Sequence, residues 1–127
     1  MLEVVAAVIV KKNRIFAARR SPKKHFGGLW ELPGGKVEKG ESHQQALARE
    51  LYEELNIKSN IGELAGATYY QNAEDNLHLS AYWVKEWSGA FKLEDHDIFQ
   101  WVSKEDSSNI NWAPADIPII KQLFTGP

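Results

Sequence analysis

The sequence predicts an α/β fold in which helices cover both faces of a mixed β-sheet. Two observations predict the sheet: a continuous, mostly β-branched apolar run at residues 4–10, and side chains that alternate in character at residues 77–87. A third predicts the helices, because apolar residues recur at helical spacing between Gly35 and Ile57 and again near the end of the chain. Strands that flank one long helix and precede a terminal helix favour this layered arrangement.

Composition limits the kind of protein. The chain has 127 residues, no cysteine and a formal net charge of -2. We expect a single domain at residues 1–127, without disulfides or thiolate metal sites. The apolar run at residues 4–10 is too short to cross a membrane and lacks the features of a signal peptide, so we expect a cytoplasmic protein with no membrane partner. The lack of a long basic block argues against a nucleic acid polymer and favours a small anionic ligand. Nothing in the sequence indicates an obligate protein partner.

The first two predicted strands form a hairpin. Residues 4–10 have the pattern of a strand covered on both faces, and the polar residues 11–14 make a turn into a second strand at residues 15–20. Arg19 and Arg20 close the second strand. Either could bind a phosphate in a phosphate-handling enzyme, and the alternative is that both simply end the strand in solvent.

Residues 21–35 contain the first predicted loops. Residues 21–28 include one proline, two glycines and three basic or imidazole side chains, so we predict a loop and interpret His25 as a loop residue rather than a metal ligand. A short apolar stretch around Glu31 then leads into Pro33-Gly34-Gly35. We predict a loop at this second site, with a backbone that a ligand can approach closely.

The helix that follows carries Glu50, Glu53 and Glu54, whose spacing of three and four residues places all three carboxylates on one face. Like charges at this spacing destabilise a helix, so we expect a cation to compensate them, and a divalent metal is the natural candidate. The adjacent face is apolar and is predicted to enter the core. It comprises Leu47, Leu51 and Leu55, with Ala48 extending it.

This segment resembles the Nudix box, which reads Gly, five residues, Glu, seven residues, then Arg-Glu-apolar-x-Glu-Glu-x-Gly-apolar. The matching positions are Gly35, Glu41, Arg49, Glu50, Leu51, Glu53, Glu54 and Ile57. Asn56 stands where the family has Gly. Since Asn also tolerates the left-handed conformation that ends many helices, this departure affects a cap rather than a ligand. The chain is similar to the MutT-like and CTP pyrophosphohydrolase-like branch of the Nudix family.

The resemblance implies an α/β/α sandwich with a mixed β-sheet. It also implies metal-dependent hydrolysis of a nucleoside triphosphate to the monophosphate and pyrophosphate, with Mg²⁺ or Mn²⁺ as cofactor. The metal ligands that it implies are Glu50, Glu53, Glu54 and the carbonyl oxygen of Gly34. It favours Glu50 or Glu53 as the general base, with Asp95 as a third possibility, and the sequence leaves this choice open.

Two further residues of the box have supporting roles in this interpretation. Arg49 lies four residues before Glu53, so it can form a helical ion pair and orient a carboxylate. Glu41 precedes the helix, where the helix dipole favours a negative charge. In the family the residue that matches Glu41 supports the site from behind the metal ligands.

Two more strands are predicted at residues 61–70 and 77–87, joined by a polar turn at residues 71–76, and Trp87-Ser88-Gly89 is predicted to end the second one. His78 lies on the face of mixed polarity. It could reach a substrate, or it could be a hydrogen-bonded structural histidine.

An acidic cluster at residues 94–97 precedes another predicted strand at residues 98–102. A loop this acidic could be merely solvated. In many MutT-like relatives, however, a Glu-His pair precedes this strand and its Glu joins the metal site. Asp95-His96 aligns with that pair, which makes Asp95 a candidate metal ligand with a side chain one methylene shorter.

The end of the chain is predicted to contain a short helix capped by Ser103 with Asp106, and a last helix introduced by residues 114–118. The predicted buried side of the last helix comprises Ile119, Ile120, Leu123 and Phe124. The segment Ala113-Pro114-Ala115-Asp116-Ile117-Pro118 resembles the one with which MutT-like enzymes place an Asn or Asp against the nucleobase.

The resemblance therefore makes Asp116 a candidate for binding the base, while the alternative is that it only caps the helix. An ionised Asp116 could accept from the amino group of cytosine or from N1 and N2 of a guanine such as 8-oxoguanine, so the base stays open. For phosphate binding, the resemblance favours Arg20 over Arg19.

The resemblance implies an enzyme that sanitises the nucleotide pool and so supports DNA repair, acting on 8-oxo-dGTP, on CTP-type nucleotides including 5-substituted ones, or on both. The alternatives are hydrolysis of another nucleoside diphosphate derivative and a non-catalytic nucleotide-binding module. Because all three glutamates of the acidic face are present, we favour the enzyme.

Overall fold

The computed structural model describes residues 1–24 and 27–124. The strands in these residues are β1 (Leu2–Lys11), β2 (Arg14–Arg20), β3 (Trp30–Glu31), β4 (Gly34–Lys36), β5 (Lys58–Asn60), β6 (Leu64–Gln71), β7 (Asn76–Val84), β8 (Glu86–Ser88) and β9 (His96–Val102). The helices are α1 (His43–Leu55), α2 (Lys104–Ser107) and α3 (Asp116–Phe124). Within the described residues, no helix has the length and apolar character that a bilayer span requires. Our interpretation of His25 lies outside the described residues.

The sheet is built around β1. One edge of β1 pairs in parallel with β7, from Leu2 to Ile9. The other edge pairs antiparallel with two strands in turn: with β4 at its beginning and with β2 at its end, as the predicted hairpin requires. Between these two partners, the amide of Ala7 donates to the carbonyl oxygen of Pro33 at 2.8 Å. This edge of the sheet therefore branches, with β4 on one branch and β2, β3 and β9 on the other.

Alternate residues of β1 enter two separate cores. Val5, Ala7 and Ile9 pack in a core that also contains the leucines of α1, whereas Ala6 and Val8 pack in a core that contains Ile119 and Ile120 of α3. The prediction that the first strand is covered on both faces is therefore confirmed. So is the α/β/α arrangement, with α1 on one face of the mixed sheet and α3 on the other.

Helix α1 begins with a capping box that the sequence analysis did not identify. The side chain of Ser42 accepts from the amide of Gln45, and the side chain of Gln45 accepts from the amide of Ser42. Leu47, Leu51 and Leu55 are fully buried, as predicted. The prediction that Ala48 extends this buried face was wrong, because Ala48 is only partly buried whereas Ala46 is fully buried. Helical spacing accounts only for the side of α1 that faces the sheet, while Val37 from the preceding segment packs against the same core as Ala46.

The predicted loop at Pro33-Gly34-Gly35 is also wrong, because β4 begins at Gly34. Sterics explain why residue 34 of this strand is a glycine, since a Cβ atom at Gly34 would collide with the backbone carbonyl of Val5 in β1. The side-chain-free backbone lets β4 approach β1. Sequence reasoning predicted a close approach to this backbone by a ligand, and the structure adds the neighbouring strand β1 as a second close contact.

The strands after α1 are shorter than predicted. β6 begins at Leu64 rather than at residue 61, and the predicted strand at residues 77–87 consists of β7 and β8, separated by Lys85. β8 turns away and pairs with β5 in a small second sheet, with Trp87 opposite Ser59. Three-residue strands are too short to show an alternating pattern, which is why the division was missed. The alternation in β7 itself is confirmed, since its two faces enter the two cores.

The last elements follow the prediction closely. β9 begins two residues earlier than expected, at His96. Ser103 caps α2 by accepting from the amide of Asp106 at 3.2 Å. In α3, Ile119 and Ile120 are buried, while Leu123 and Phe124 are partly buried against the same core.

Asn56 ends α1 in the left-handed conformation, with φ 60° and ψ 32°, as its position in the box predicts. We expect Asn56→Val to lower the free energy of unfolding by about 1–2 kcal/mol, because a β-branched residue is strained in this region. Asn56→Gly should stay within about 1 kcal/mol of wild type, since glycine adopts the conformation freely.

Thermal and chemical melts of both variants check this expectation. Asn60→Val is a matched control, because Asn60 is exposed in β5 and is not among the residues with positive φ. Equal stability of the Asn56→Val and Asn60→Val proteins would contradict the proposed cap.

Candidate active site

Two neighbouring cavities open beside β4 and share a wall. The shared residues are Leu2, Arg20, Gly34, Gly35 and Lys36. We call the first the acidic cavity, because its other lining residues are Val37, Glu38, Glu50, Glu54 and Asp95. We call the second the apolar cavity, because its other lining residues are mostly aliphatic, from β1, β7 and residues 113–115, and only Glu31, Tyr70 and Asp116 add polar side chains. The structure therefore brings Arg20, Gly34, Glu50, Glu54, Asp95 and Asp116 together around β4.

Gly35 determines how close α1 lies to β4 at the acidic cavity. The leucines of α1 face the sheet, which leaves Glu50 and Glu54, one turn apart, on the side of the helix towards the cavity. A Cβ atom at Gly35 would collide with the carboxyl group of Glu50. The Glu50 carboxyl thus occupies the space that any other residue would fill with its side chain.

The carboxyl groups of Glu50 and Glu54 interact directly. Burial, followed by the charge of Glu50 and a hydrogen bond with it, raises the pKa of Glu54 from the usual 4.5 to about 9. Without a cation, this pair of carboxyls therefore retains a proton at neutral pH. Oε2 of Glu54 is buried and has no hydrogen-bond partner. A buried acceptor without a donor, beside a second carboxyl, is suited to bind a cation.

The donor atoms of the acidic cavity fit a hard divalent cation. Carboxylate and carbonyl oxygens are the ligands that Mg²⁺ and Mn²⁺ prefer. Within the described residues, no three His, Asp or Glu side chains converge closely enough to hold a metal by themselves. Mg²⁺ binds to one or two protein carboxylates and completes its shell with waters and phosphate oxygens. Glu50 and Glu54 supply such a pair, with the backbone of Gly34 beside them.

Glu53 points elsewhere. Its side chain is 54% exposed and lies 3.3 Å from Nη1 of Arg49, as the predicted helical ion pair requires. It does not line the acidic cavity. Of the three carboxylates that the helical spacing groups together, the structure brings two into the cavity and leaves the third at the rim beside Arg49.

Arg49 joins α1 to the segment that precedes it. Its guanidinium donates to both carboxylate oxygens of Glu41, at 2.7 and 3.0 Å, and to the carbonyl oxygen of Lys36 at 3.0 Å. It also donates to Glu50 at 2.9 Å. Hydrogen bonds from Arg49 lower the pKa of Glu41 below its usual range. Glu41 is therefore a partner of Arg49 rather than a charge on the helix terminus, whose cap is Ser42.

Arg19 and Arg20 have different surroundings, because a register shift separates them in the pairing of β2 with β9. Arg19 forms a two-point ion pair with Asp97 at 2.6 and 3.0 Å, and its side chain is largely exposed. Arg20 lies in the wall between the two cavities and is 3.6 Å from Glu31. Of these two arginines, only Arg20 lines the cavities.

Asp95 is one of the residues that line the acidic cavity. Its carboxylate is 3.4 Å from the ammonium group of Lys24, and its backbone carbonyl accepts from the amide of Ser21 at 3.1 Å. These contacts tie the segment before β9 to the loop that follows β2. Asp95 is near enough to Glu54 to contribute to the raised pKa of that carboxyl.

His78 is not brought to either cavity. It lies on the face of β7 that is covered by α1, where Nδ1 is 3.0 Å from Glu3 and the ring stacks on Tyr69 at 4.4 Å. The apolar cavity is lined by Leu77 and Leu79, its neighbours on the opposite face of the strand. The contacts of His78 correspond to the structural alternative.

Sequence reasoning missed Glu31 and His96. The side chain of His96 is fully buried, and its Nε2 is 3.1 Å from Glu31, which in turn faces Arg20. A glutamate inside a short apolar stretch directly before two glycines was a signal that could have identified Glu31. His96 was identified only as the neighbour of Asp95 in the aligned pair, and its contact with Glu31 could not be predicted because His96 becomes buried only when β9 pairs with β2.

We expect Gly35→Ala to lower activity and Gly34→Ala to lower stability. At Gly35 the added Cβ meets the end of a flexible side chain, so stability should change by less than about 1 kcal/mol, while displacement of Glu50 should lower kcat/KM about a hundredfold. At Gly34 the Cβ meets the backbone of β1, so unfolding free energy should fall by about 1–3 kcal/mol. Melts and nucleotide hydrolysis assays on both variants measure this. A Gly35→Ala protein with full activity would contradict the assigned position of Glu50.

The raised pKa of Glu54 predicts a pH dependence of stability in EDTA. Because its folded-state pKa of about 9 lies above the usual 4.5, the protonated form is favoured by folding. This stabilisation is complete below pH 4.5 and is lost as the pH rises towards 9, by up to about 1.4 kcal/mol per pH unit. Glu54→Gln, which cannot ionise, should show a flatter decline in urea melts between pH 6 and pH 9. Parallel declines for the two proteins would show that Glu54 is already ionised.

The chain is similar to known proteins along nearly its whole length. The model of the NUDIX domain matches residues 1–123. The chain is 40% identical over 124 residues to the CTP pyrophosphohydrolase of Escherichia coli K12, covering 98% of this chain and 92% of that protein. It is 37% identical over 116 residues to the putative 8-oxo-dGTP diphosphatase 2 of Mycobacterium tuberculosis H37Rv, covering 89% and 81% of the two chains. The solution structure of the E. coli ORF135 protein superposes with a TM-score of 0.89 at 38% identity, covering 98% and 89%. The family match, the two relatives and the shared fold together place this chain in the Nudix hydrolase family.

Proposed function

We propose that this protein is a divalent-metal-dependent nucleoside triphosphate pyrophosphohydrolase that forms a nucleoside monophosphate and pyrophosphate. The observation that carries the proposal is the shared wall between the acidic and the apolar cavity. One cavity has paired carboxyls for a cation and its phosphates, and the other has aliphatic walls and one buried carboxyl for a base. A nucleotide that lies across β4 would contact both cavities at once.

The residues of the acidic cavity hold the cation and the phosphates. We assign Glu50, Glu54 and the carbonyl oxygen of Gly34 as ligands of Mg²⁺ or Mn²⁺, with Asp95 and Glu53 as further carboxylates at the rim. When bound, the cation lowers the pKa of the attacking water and neutralises charge on the phosphates. Arg20 and Lys36 extend from the shared wall, where they can bind phosphate oxygens.

The attacking water forms a new bond to phosphorus while the bond to the leaving phosphate oxygen breaks. A carboxylate near the phosphorus must take the proton of the water. Glu50, Glu53 and Asp95 are the candidates, and Arg49 limits the freedom of the first two by donating to both. Arg49 and Glu41 act through these carboxylates and so have positioning roles.

The named relatives suggest two classes of base. One is called a CTP pyrophosphohydrolase and the other a putative 8-oxo-dGTP diphosphatase. We propose that this chain acts on one or both classes, including 5-substituted cytidine nucleotides, and that it sanitises the cytoplasmic nucleotide pool. Asp116, at the end of the apolar cavity, is the residue that we assign to the base.

Purified protein should convert a nucleoside triphosphate to monophosphate and pyrophosphate in the presence of Mg²⁺ or Mn²⁺, and EDTA should abolish the reaction. Glu50→Gln, Glu53→Gln and Glu54→Gln should each lower kcat/KM at least about tenfold to a hundredfold, because the cation or the water loses a carboxylate. Glu74→Gln, in the exposed turn between β6 and β7, is the control and should be unaffected.

Chromatography of the products measures the activity of each variant, and melts measure its stability separately. The proposal fails if the wild-type protein turns over neither a nucleoside triphosphate nor another nucleoside diphosphate derivative with either metal. If the protein hydrolyses only another nucleoside diphosphate derivative, it is still an enzyme, but a nucleoside triphosphate is not its substrate.

A further inference from the structure

β6 is the last strand on one side of the main sheet. It pairs with β7 along one edge, and within residues 1–24 and 27–124 no strand pairs with its other edge. An open edge of this kind presents backbone amides and carbonyls with which a strand of another chain can pair. Two large apolar side chains of β6, Leu64 and Tyr69, are 55% and 71% exposed. The strand therefore has the features of a surface for strand addition.

A side chain occupies this open edge at one position. Gln122 lies on α3, and its carboxamide binds to the backbone of Ala67 in β6 at two points. The amide of Ala67 donates to Oε1 of Gln122 at 3.2 Å, and Nε2 of Gln122 donates to the carbonyl oxygen of Ala67 at 3.0 Å. A residue of a neighbouring antiparallel strand makes the same two bonds with its own amide and carbonyl. The carboxamide thus fills the position of one residue of a neighbouring strand.

The direction of these bonds shows which backbone groups face outwards. In an antiparallel pair, residues that bond to the partner strand alternate with residues whose backbone groups point away from it. Ala67 lies opposite Ser80 of β7, but its amide and carbonyl bond to Gln122. By the same alternation, the backbone groups of Tyr69 point to the open edge. Because Ala67 lies in the middle of β6, a strand that pairs along the whole of β6 must displace Gln122.

Gly66 provides the space for this contact. A Cβ atom at Gly66 would collide with Oε1 of Gln122. The pairing of β6 with β7 also shifts in register between Leu64 and Gly66, and such irregularities are common at sheet edges. Ile119 and Ile120 fix α3 in the core beneath the sheet, so the helix holds Gln122 where its side chain reaches the edge.

We propose that Gln122 takes the place of a neighbouring strand at the open edge of β6 and thereby prevents β6 from pairing with β6 of a second copy of this chain. A second copy fits this edge because two identical strands can pair antiparallel about a twofold axis, so that each satisfies the backbone groups of the other. Pairing would also cover part of the exposed Leu64 and Tyr69 side chains. The inference is independent of the proposed hydrolysis, since Gln122 and Ala67 line neither the acidic nor the apolar cavity.

Sedimentation velocity over a range of protein concentrations tests this inference. Before two wild-type β6 strands pair, the contact of Gln122 has to be displaced in both copies. The dissociation constant of the dimer should therefore be about tenfold to a hundredfold lower for Gln122→Ala than for wild type. Gln44→Ala is the matched control, because Gln44 is an exposed glutamine of α1, and it should associate no more than wild type. A Gln122→Ala protein that stays as monomeric as wild type overturns the proposal.

Two further variants show whether the association uses β6. Gly66→Ala keeps Gln122 in the chain but places a Cβ atom against its Oε1, so it should form the same dimer. Tyr69→Lys adds a charge to the edge strand, which disfavours strand pairing, so the double variant Gln122→Ala/Tyr69→Lys should return to a monomer. An equally strong dimer of the double variant, or association beyond a dimer, would show that another surface is used and would also overturn the proposal.

Amide hydrogen exchange measured by NMR, at concentrations where the proteins are monomeric, tests the contact itself. The amide of Ala67 should exchange about threefold to tenfold faster in Gln122→Ala, because it loses its acceptor, and should be unchanged in Gln44→Ala. Equal exchange of this amide in wild type and Gln122→Ala would show that Gln122 does not bind β6 in solution, against the proposal. Melts and nucleotide hydrolysis of monomeric Gln122→Ala should stay close to those of wild type, which separates strand pairing from unfolding.

Discussion

The close approach of α1 to β4 is the contact on which the site depends. Gly35 has no side chain, so the carboxyl of Glu50 rests against the strand, and Glu54 follows one turn later. Two carboxyls so close to each other and to the protein interior cannot both be ionised without a counterion. Arg49 compensates only part of the charge, because its guanidinium is shared among Glu41, Glu50 and Glu53. The remaining deficit is the electrostatic basis for a divalent cation.

The branching of the sheet edge explains why two cavities of opposite character lie side by side. β1 leaves β4 for β2 partway along its length, and the residues that line the resulting opening come from both branches. The face towards α1 holds the carboxyls, and the face towards α3 holds aliphatic side chains. Arg20 and Lys36 stand between them, so the two cavities are separated by the strand itself rather than by a loop.

Burial raises the pKa of two carboxyls in this protein with different consequences. Glu54 lies beside another carboxyl and has a buried oxygen without a donor, so a cation can replace its proton. Asp116 lies among aliphatic side chains and accepts from one backbone amide, and burial raises the pKa of its carboxyl well above the usual value. The same desolvation therefore favours a cation beside Glu54, whereas at Asp116 it favours the neutral form of the carboxyl.

Local sequence patterns determined much of this protein. Helical spacing identified the leucines and glutamates of α1, β-branched composition identified β1, and the tolerance of Asn for left-handed geometry identified the end of α1, because each depends on neighbours within a few residues. Only the tertiary structure decided that Glu53 stays at the rim, that His78 faces away from the site, that Glu31 and His96 pair, and that Asp116 is buried. These properties depend on which strands pair and which surfaces become covered. Contacts between residues that are distant in the chain leave no periodic signal in the sequence, and the protonation of a carboxyl follows from its surroundings rather than from its residue type.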